Sequence, residues 1–119
     1  KTLYLGDSNG KLKLLDLETN RVIRELSVTS SALVCVQDVP ERNLLYCLDN
    51  QGSLVFLKRD ELKKCTQKFD VSEEHTGWVS HIDENRFFTL GGRSNTYIST
   101  LILWETQTNQ PLTKLNHRI

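Results

Sequence analysis

Apolar residues in this chain fall in short runs that are separated by polar turns rich in Gly, Asn and Asp. In Lys11–Leu17, Lys and Leu alternate, which places one face of a strand in a core and the other in water. The preceding Asn9-Gly10 favours a tight hairpin, because both residues tolerate positive φ. Helix-period runs are nearly absent, so the pattern predicts an all-β chain of short antiparallel strands.

The strand pattern repeats along the chain. The segment Gly10–Asp16 reads Gly-Lys-Leu-Lys-Leu-Leu-Asp, and comparable segments occupy Gly52–Lys58 and Ser99–Glu105. The repeat starts are 42 and then 47 residues apart, a period typical of architectures in which each unit is one small sheet. Asn20 and Asn109 occupy the same place after their segments, so the register holds over a whole hairpin.

The turns divide the chain into units, in which we label the strands a to d. Residues 1–31 contain only strands b to d, residues 32–71 contain four strands, and residues 72–115 contain four more. Residues 116–119 are predicted to start the next unit. Four short antiparallel strands make one propeller blade. We therefore predict a β-propeller segment of about three blades, each a four-stranded antiparallel sheet, with the first blade incomplete.

Three blades are too few to close a propeller ring, and an uncovered terminal repeat exposes apolar surface. The remainder of the propeller is therefore expected in the same chain or in another one. Because the chain opens at Lys1 directly into a strand, we expect it to be a piece of a longer protein.

In this register the chain resembles the WD-repeat β-propeller family, in which strand c ends in Trp-Asp and Gly-His precedes strand a. The pair Trp104-Glu105 resembles Trp-Asp, with Glu in place of Asp. Asp16 keeps the acidic position, whereas the residue before it is Leu15. His75 resembles the His of Gly-His, although Glu74 precedes it instead of Gly.

The resemblance implies a buried, hydrogen-bonded set of side chains in the third unit. His75, Thr89 and Trp104 would belong to that set. The predicted loop Gly91–Ser99 contains no Asp that would complete it.

Composition excludes several classes of function. The 15 basic and 15 acidic residues cancel, which speaks against binding of nucleic acid through bulk charge. Three cysteines, Cys35, Cys47 and Cys65, are an odd number at irregular spacing and favour a reducing compartment, the cytoplasm or the nucleus. No run of apolar residues is long enough for a membrane span. We expect no cofactor, no metal and no membrane partner.

One small cluster, Glu73, Glu74 and His75, has residue types that could serve acid–base catalysis. The favoured interpretation is a solvated loop that contains a structural His. We therefore expect no enzymatic activity, although propeller enzymes exist and the fold alone does not decide the question.

The resemblance implies that the d–a and b–c loops share one face, called the top, which is a common docking surface. The b–c loop of unit three is five residues longer than its counterparts, as the change of offset from 42 to 47 shows, and contains Arg93 and Tyr97. Glu74 and Trp78 lie in or next to the neighbouring d–a loop. Tyr, Trp and Arg are enriched at interface hot spots, so these four residues are the predicted partner-binding site. Trp78 packing between blades, and Arg93 and Tyr97 covering a blade edge, remain open alternatives.

The leading hypothesis is a non-catalytic scaffold that organises a multiprotein complex through protein–protein interaction. The alternative is a propeller whose top-face loops recognise nucleic acid or a modified peptide tail, by stacking or by caging a cation. Nucleic acid is possible but not favoured, given the neutral charge. A third hypothesis is a propeller enzyme or sensor with its polar site in the central channel.

Overall fold

The computed structural model describes residues 1–70, 78–92, 98–108 and 110–118. These ranges are almost entirely β-structure, as the sequence predicts, with one short 3-10 turn at Pro40–Arg42. The strands are β1 (Thr2–Gly6), β2 (Lys11–Asp16), β3 (Arg21–Ser27), β4 (Leu33–Val39), β5 (Leu44–Asp49), β6 (Ser53–Lys58), β7 (Lys63–Asp70), β8 (Trp78–His81), β9 (Arg86–Gly92), β10 (Ile98–Glu105) and β11 (Gln110–Arg118).

The strands form three antiparallel sheets in which consecutive strands are neighbours. Blade one has the order β1-β2-β3, blade two β4-β5-β6-β7 and blade three β8-β9-β10-β11. By position in the repeat, β4 and β8 are the a strands, and β1 is the b strand of a blade for which the described residues include strands b to d. The predicted arrangement of one three-stranded and two four-stranded sheets is confirmed.

The b–c turns of blades one and two are built alike. In each, an Asp carboxylate (Asp7 or Asp49) accepts hydrogen bonds of 2.8–2.9 Å from the backbone N–H groups two and four residues later. The glycine that ends each turn, Gly10 or Gly52, has a positive φ of 80° or 83°. A side chain at Gly10 would also place its Cβ 2.1 Å from the carbonyl oxygen of Thr29. The sequence repeat is therefore a repeat of hydrogen bonds and backbone angles.

The core lies between the sheets. Blades one and two enclose an aliphatic cluster, with Leu12, Val28, Leu33, Leu45, Cys47, Val55, Leu57 and Leu62. Blades two and three enclose a cluster rich in aromatic residues, with Val39, Tyr46, Leu48, Leu54, Phe56, Val79, Phe87, Ile102 and Trp104. Strands β5 and β6 of blade two therefore send alternate side chains to one neighbour or the other, as the two-residue period of a strand requires.

The fold departs from a simple strand pattern at two places. Val34 on β4 is 44% exposed. The pairing of β4 with β5 shifts register between Leu33 and Cys35, so Val34 falls at an irregularity and points outward. Asn116 was predicted to begin a next blade, but β11 continues to Arg118 because its pairing with β10 extends that far. The unit boundaries after residues 31 and 71 remain predictions.

The long b–c loop predicted at Gly91–Ser99 is shorter in the structure. Strand β9 continues to Gly92 and β10 starts at Ile98, and Ser99 pairs with Gly92. Some of the residues that this hairpin has in addition to those of its counterpart in blade two therefore lengthen β9 and β10 and do not form loop. Pro111 lies in β11, the edge strand of its sheet, as its missing N–H donor predicts.

Candidate functional site

Of the four residues predicted to bind a partner, the structure describes one. Trp78 is the first residue of β8, and its side chain is 53% exposed. The next residue, Val79, is fully buried against blade two, so Trp78 points to the opposite face of blade three. Trp78 therefore does not pack between blades two and three. Glu74, Arg93 and Tyr97 lie outside the described residues.

Trp78 has an apolar neighbour that the sequence analysis did not single out. Leu90 on β9 is its cross-strand partner, and its side chain is 37% exposed. Residues directly opposite on antiparallel strands project to the same face and contact each other. The pair forms an exposed apolar patch on a rigid sheet, at the end of blade three that carries the d–a and b–c connections.

The structure describes two of the three side chains in the set that the resemblance implies. The indole Nε1–H of Trp104 donates a buried hydrogen bond of 2.8 Å to Oγ1 of Thr89. Trp104 is 7% exposed and Thr89 is fully buried. A buried indole N–H needs such an acceptor, because an unpaired donor would be costly. His75 lies outside the described residues.

The two acidic positions of the Trp-Asp type have different surroundings. Asp16 ends β2, and its Oδ1 accepts a hydrogen bond of 2.9 Å from the backbone N–H of Glu18, so it stabilises the c–d turn. Glu105 ends β10 between Arg86 and Gln110 and is partly buried.

Trp104 belongs to an aromatic cluster that joins blades two and three. Its indole lies nearly parallel to the ring of Phe87, with 6.1 Å between centroids and 6° between planes. Phe87 and Tyr46 have centroids 5.6 Å apart, and Tyr46 and Phe56 have centroids 5.1 Å apart. Such tilted and offset pairs stabilise a core beyond the area they bury.

At the edge of this cluster, Tyr46 contacts a histidine that the sequence analysis did not select. The Tyr46 hydroxyl lies 3.1 Å from Nδ1 of His81, which is on the a strand of the next blade. Burial raises the pKa of Tyr46 to about 12, so the phenol stays protonated and available as a donor. These residues are 35 positions apart and lie in different units, so no local motif relates them.

The corresponding place between blades one and two contains a charged version of this contact. Tyr4, 42 residues before Tyr46, has the guanidinium of Arg59 5.5 Å from its ring centroid. Arg59 donates to both oxygens of Asp38, at 2.7 and 3.3 Å, and this carboxylate raises the pKa of Arg59. Asp38 on β4 pairs with Leu45, as His81 on β8 pairs with Phe87. Each interface therefore has a tyrosine and a polar residue of the next a strand.

The described residues do not form a reactive constellation. No group of three or more His, Cys, Asp or Glu within the described ranges is placed to hold a metal ion. Burial raises the pKa of Cys35, and it raises that of Cys47 to about 12, so neither thiol is activated as a nucleophile. In the part of the chain that is described, no helix is long and apolar enough to cross a membrane.

Comparison with known proteins identifies the fold. No family model matches the sequence, and no curated protein matches it. Among solved structures, a chain of the mitotic checkpoint complex has a TM-score of 0.71 and 15% identity, over 96% of this chain and 33% of that one. The RRP9 WD40 repeats have a TM-score of 0.73 and 9% identity, over 96% and 34%. Kuenenia stuttgartiensis hydrazine synthase has a TM-score of 0.77 and 9% identity, over 98% and 34%.

At these identities the similarity establishes the fold, and the chain has the fold of a partial WD40-type β-propeller. It spans about a third of each of these chains. One of the three is described as an enzyme, so the architecture alone assigns neither catalysis nor its absence.

Proposed function

We propose that this chain is part of a propeller that acts as a non-catalytic scaffold and organises a multiprotein complex inside the cell, in the cytoplasm or the nucleus. The observation that carries the proposal is the Trp78–Leu90 pair, which lies on the face of blade three away from blade two, where a further blade of a ring would pack. At the end of that face, next to the d–a and b–c connections, the pair would anchor a protein partner, because Trp is enriched at interface hot spots.

The packing of blade three supports this assignment. Trp78 is fixed at the end of β8 by the fully buried Val79, and β9 is fixed by the fully buried Phe87 and Thr89. The sheet that presents the patch is therefore anchored in the core, so a partner would not have to order it. A preorganised surface loses less conformational freedom on binding than a flexible one.

The loops next to this patch extend the proposed site. Glu74 precedes β8 in the d–a connection, and Arg93 and Tyr97 lie in the b–c connection between β9 and β10. Both connections adjoin the strand ends that carry Trp78 and Leu90. We propose that these loop residues supply polar and aromatic contacts around the apolar pair.

The test is affinity capture from nuclease-treated cell extract with the full-length protein as bait, followed by mass spectrometry. The Trp78→Ala variant is compared with Leu112→Ala, a matched control. Leu112 is also exposed, at 49%, but it lies on β11 at the outer edge of the same blade. We expect a discrete set of proteins that the Trp78→Ala variant loses and the Leu112→Ala variant retains.

A second bait, the double variant Arg93→Glu/Tyr97→Ala, tests the loop part of the site in the same way. Retention of every partner by both site variants would contradict the proposed surface. Capture that disappears with nuclease would favour the nucleic-acid alternative, and the salt dependence of binding would then measure it.

A further inference from the structure

A groove on the outer rim of the molecule lies apart from the Trp78–Leu90 patch. Its volume is about 350 Å³, and it is lined by Ser27, Val28, Thr29, Ser30 and Lys64. The first four residues end β3 and continue into the connection from blade one to blade two, and Lys64 is at the start of β7. We call this feature the rim groove.

The lining of the rim groove is suited to a negatively charged ligand. It contains one ammonium and three hydroxyl groups, and no carboxylate lines it. Among the described residues, Lys64 forms no ion pair, whereas Lys11 and Lys13 of blade one are both paired with acids. The cation of the groove is therefore available to a ligand.

The hydroxyl-bearing wall of the groove is held in place. The backbone N–H groups of Val28 and Thr29 both donate to the carbonyl of Gly10, at 2.9 and 3.2 Å. The Thr29 hydroxyl donates to the carbonyl of Ser31 at 2.8 Å, and the Val28 side chain is buried in the aliphatic cluster. A wall fixed in this way does not have to be ordered when a ligand binds.

Side chains along β7 point alternately to the two faces of the sheet, and this alternation determines which lysine reaches the groove. Lys64 pairs with Leu57, whose side chain faces blade one, and so it lies on the side of the blade-one connection. Lys63 pairs with Lys58 and projects to the other face of the sheet. The two neighbouring lysines have the same charge and exposure class but different positions relative to the groove.

From this geometry we propose that the rim groove binds an oxyanion, namely the phosphate monoester of a phosphorylated serine or threonine in a protein partner. Such a group has three acceptor oxygens and close to two negative charges at neutral pH. Lys64 would neutralise the charge, and the hydroxyls of Ser27 and Ser30 would donate to its oxygens. A lysine binds phosphate as a point charge, without the planar fork of an arginine.

The test uses the full-length protein and a short peptide with a central phosphoserine between Gly and Ala residues, titrated by isothermal calorimetry. The same peptide with Ser or Glu at the centre provides two comparison arms. We expect binding of the phosphopeptide only, and competition by inorganic phosphate. Lys64→Glu should weaken binding at least about tenfold, because hydrogen bonds to charged groups are among the stronger ones.

Lys63→Glu is the matched control, and we expect it to change the affinity less than about twofold, since exposed charges outside a site interact weakly through water. Ser30→Ala should weaken binding about threefold, a loss in the range of one neutral-donor hydrogen bond. Absence of phosphopeptide binding, or equal losses for Lys63→Glu and Lys64→Glu, would overturn the proposal. Equal affinity for the Glu peptide would overturn the assignment to a phosphate.

This proposal is independent of the Trp78 surface. The rim groove belongs to blades one and two, and Trp78 belongs to blade three. Trp78→Ala should therefore leave phosphopeptide binding unchanged. Failure of the phosphopeptide titration leaves the capture experiment on Trp78 unaffected, so the two proposals can fail separately.

Discussion

Between blades two and three, Trp104 stacks on Phe87 and donates a hydrogen bond to Thr89. Between blades one and two, the equivalent positions of the repeat contain only apolar side chains. Leu57 replaces Trp104, and its partner Leu45 replaces Phe87. The register of the b and c strands is the same in both interfaces, but these positions hold aromatic and hydrogen-bonded side chains in one and aliphatic side chains in the other.

The comparison shows that a hydrogen-bonded Trp is one of two ways to fill the same space. Cys47 occupies the position of Thr89, and with Leu57 in place of Trp104 there is no indole N–H to satisfy. The Thr hydroxyl is therefore required only where the indole is present. Blade one also has an aliphatic residue, Leu15, at the position of Trp104. On the adjacent strand β1, Leu3, which pairs with Leu15, and Leu5 are 45% and 42% exposed.

The strongest way to break the aromatic interface is to truncate its centre. Phe87 is fully buried and contacts the rings of Tyr46, Phe56 and Trp104. Phe87→Ala should lower the free energy of unfolding by about 3–5 kcal/mol, the usual cost of deleting a buried phenyl ring. Urea denaturation of the full-length protein measures the loss.

The matched change in the aliphatic interface is Leu45→Ala, at the equivalent buried position. Amide hydrogen exchange should show faster opening of β8 and β9 for Phe87→Ala, and of β1 and β2 for Leu45→Ala. Exchange that accelerates equally at both interfaces in either variant would show that the aliphatic and the aromatic clusters are one cooperative unit and do not open separately.

The features that could be predicted from the sequence are those that recur from one repeat unit to the next. The period and the tight turn at Gly10 follow from residues at fixed offsets within one unit, whereas the pairing of Thr89 with Trp104 follows from the resemblance to the WD-repeat family. A hairpin with its turn is local, so its residues can be recognised along the chain. The predicted strand ends were less accurate, because β9 and β10 remain paired through residues that were expected to belong to the loop.

The contacts between blades could not be predicted in the same way. Tyr46 meets His81, and Arg59 joins Tyr4 to Asp38, and each of these contacts crosses from one sheet to the next. No local spacing indicates which residue of one blade faces which residue of another, because that depends on how the sheets pack. The only signal was the shared repeat position of Tyr4 and Tyr46.

A smaller change separates the hydrogen bond in the aromatic interface from the packing. Thr89→Val keeps the shape of the side chain and removes the acceptor of the Trp104 indole N–H. The expected loss is about 1–3 kcal/mol, because a buried donor is left without a partner. Cys47→Val, in the aliphatic interface, removes no acceptor of an indole and should cost less than about 1.5 kcal/mol. Urea denaturation of both variants checks the difference.

Alkaline pH should act on both interfaces through two different groups. Burial raises the pKa of Tyr46 from an ordinary 10.0 to about 12, and that of Cys47 from 9.0 to about 12. Because the protonated form is favoured in the fold, each contribution is present below the ordinary value and is lost as the pH rises through about 12. Unfolding free energy should therefore fall from pH 9 for the thiol and from pH 10 for the phenol.

The variants Tyr46→Phe and Cys47→Ala assign these two losses. Tyr46→Phe also removes the contact with His81, at a cost of about 1 kcal/mol near neutral pH, and it should abolish the part of the decline that starts above pH 10. Cys47→Ala should abolish the earlier part. A decline that is unchanged in both variants would show that other groups cause it.

The smallest expected effect comes from the charged contact between blades one and two. Asp38→Asn removes the ion pair with Arg59 and keeps the size of the side chain. Both charged groups are about a third exposed, at 35% and 34%, so water and salt screen their attraction. The free energy of unfolding should fall by about 0.2–1 kcal/mol, and 1 M salt should reduce the difference from the wild type. Tyr46→Phe, which removes an uncharged hydroxyl group at the equivalent place, should show no such salt dependence. A loss for Asp38→Asn that exceeds the loss for Tyr46→Phe at high salt would mean that the carboxylate contributes more than its exposed position indicates.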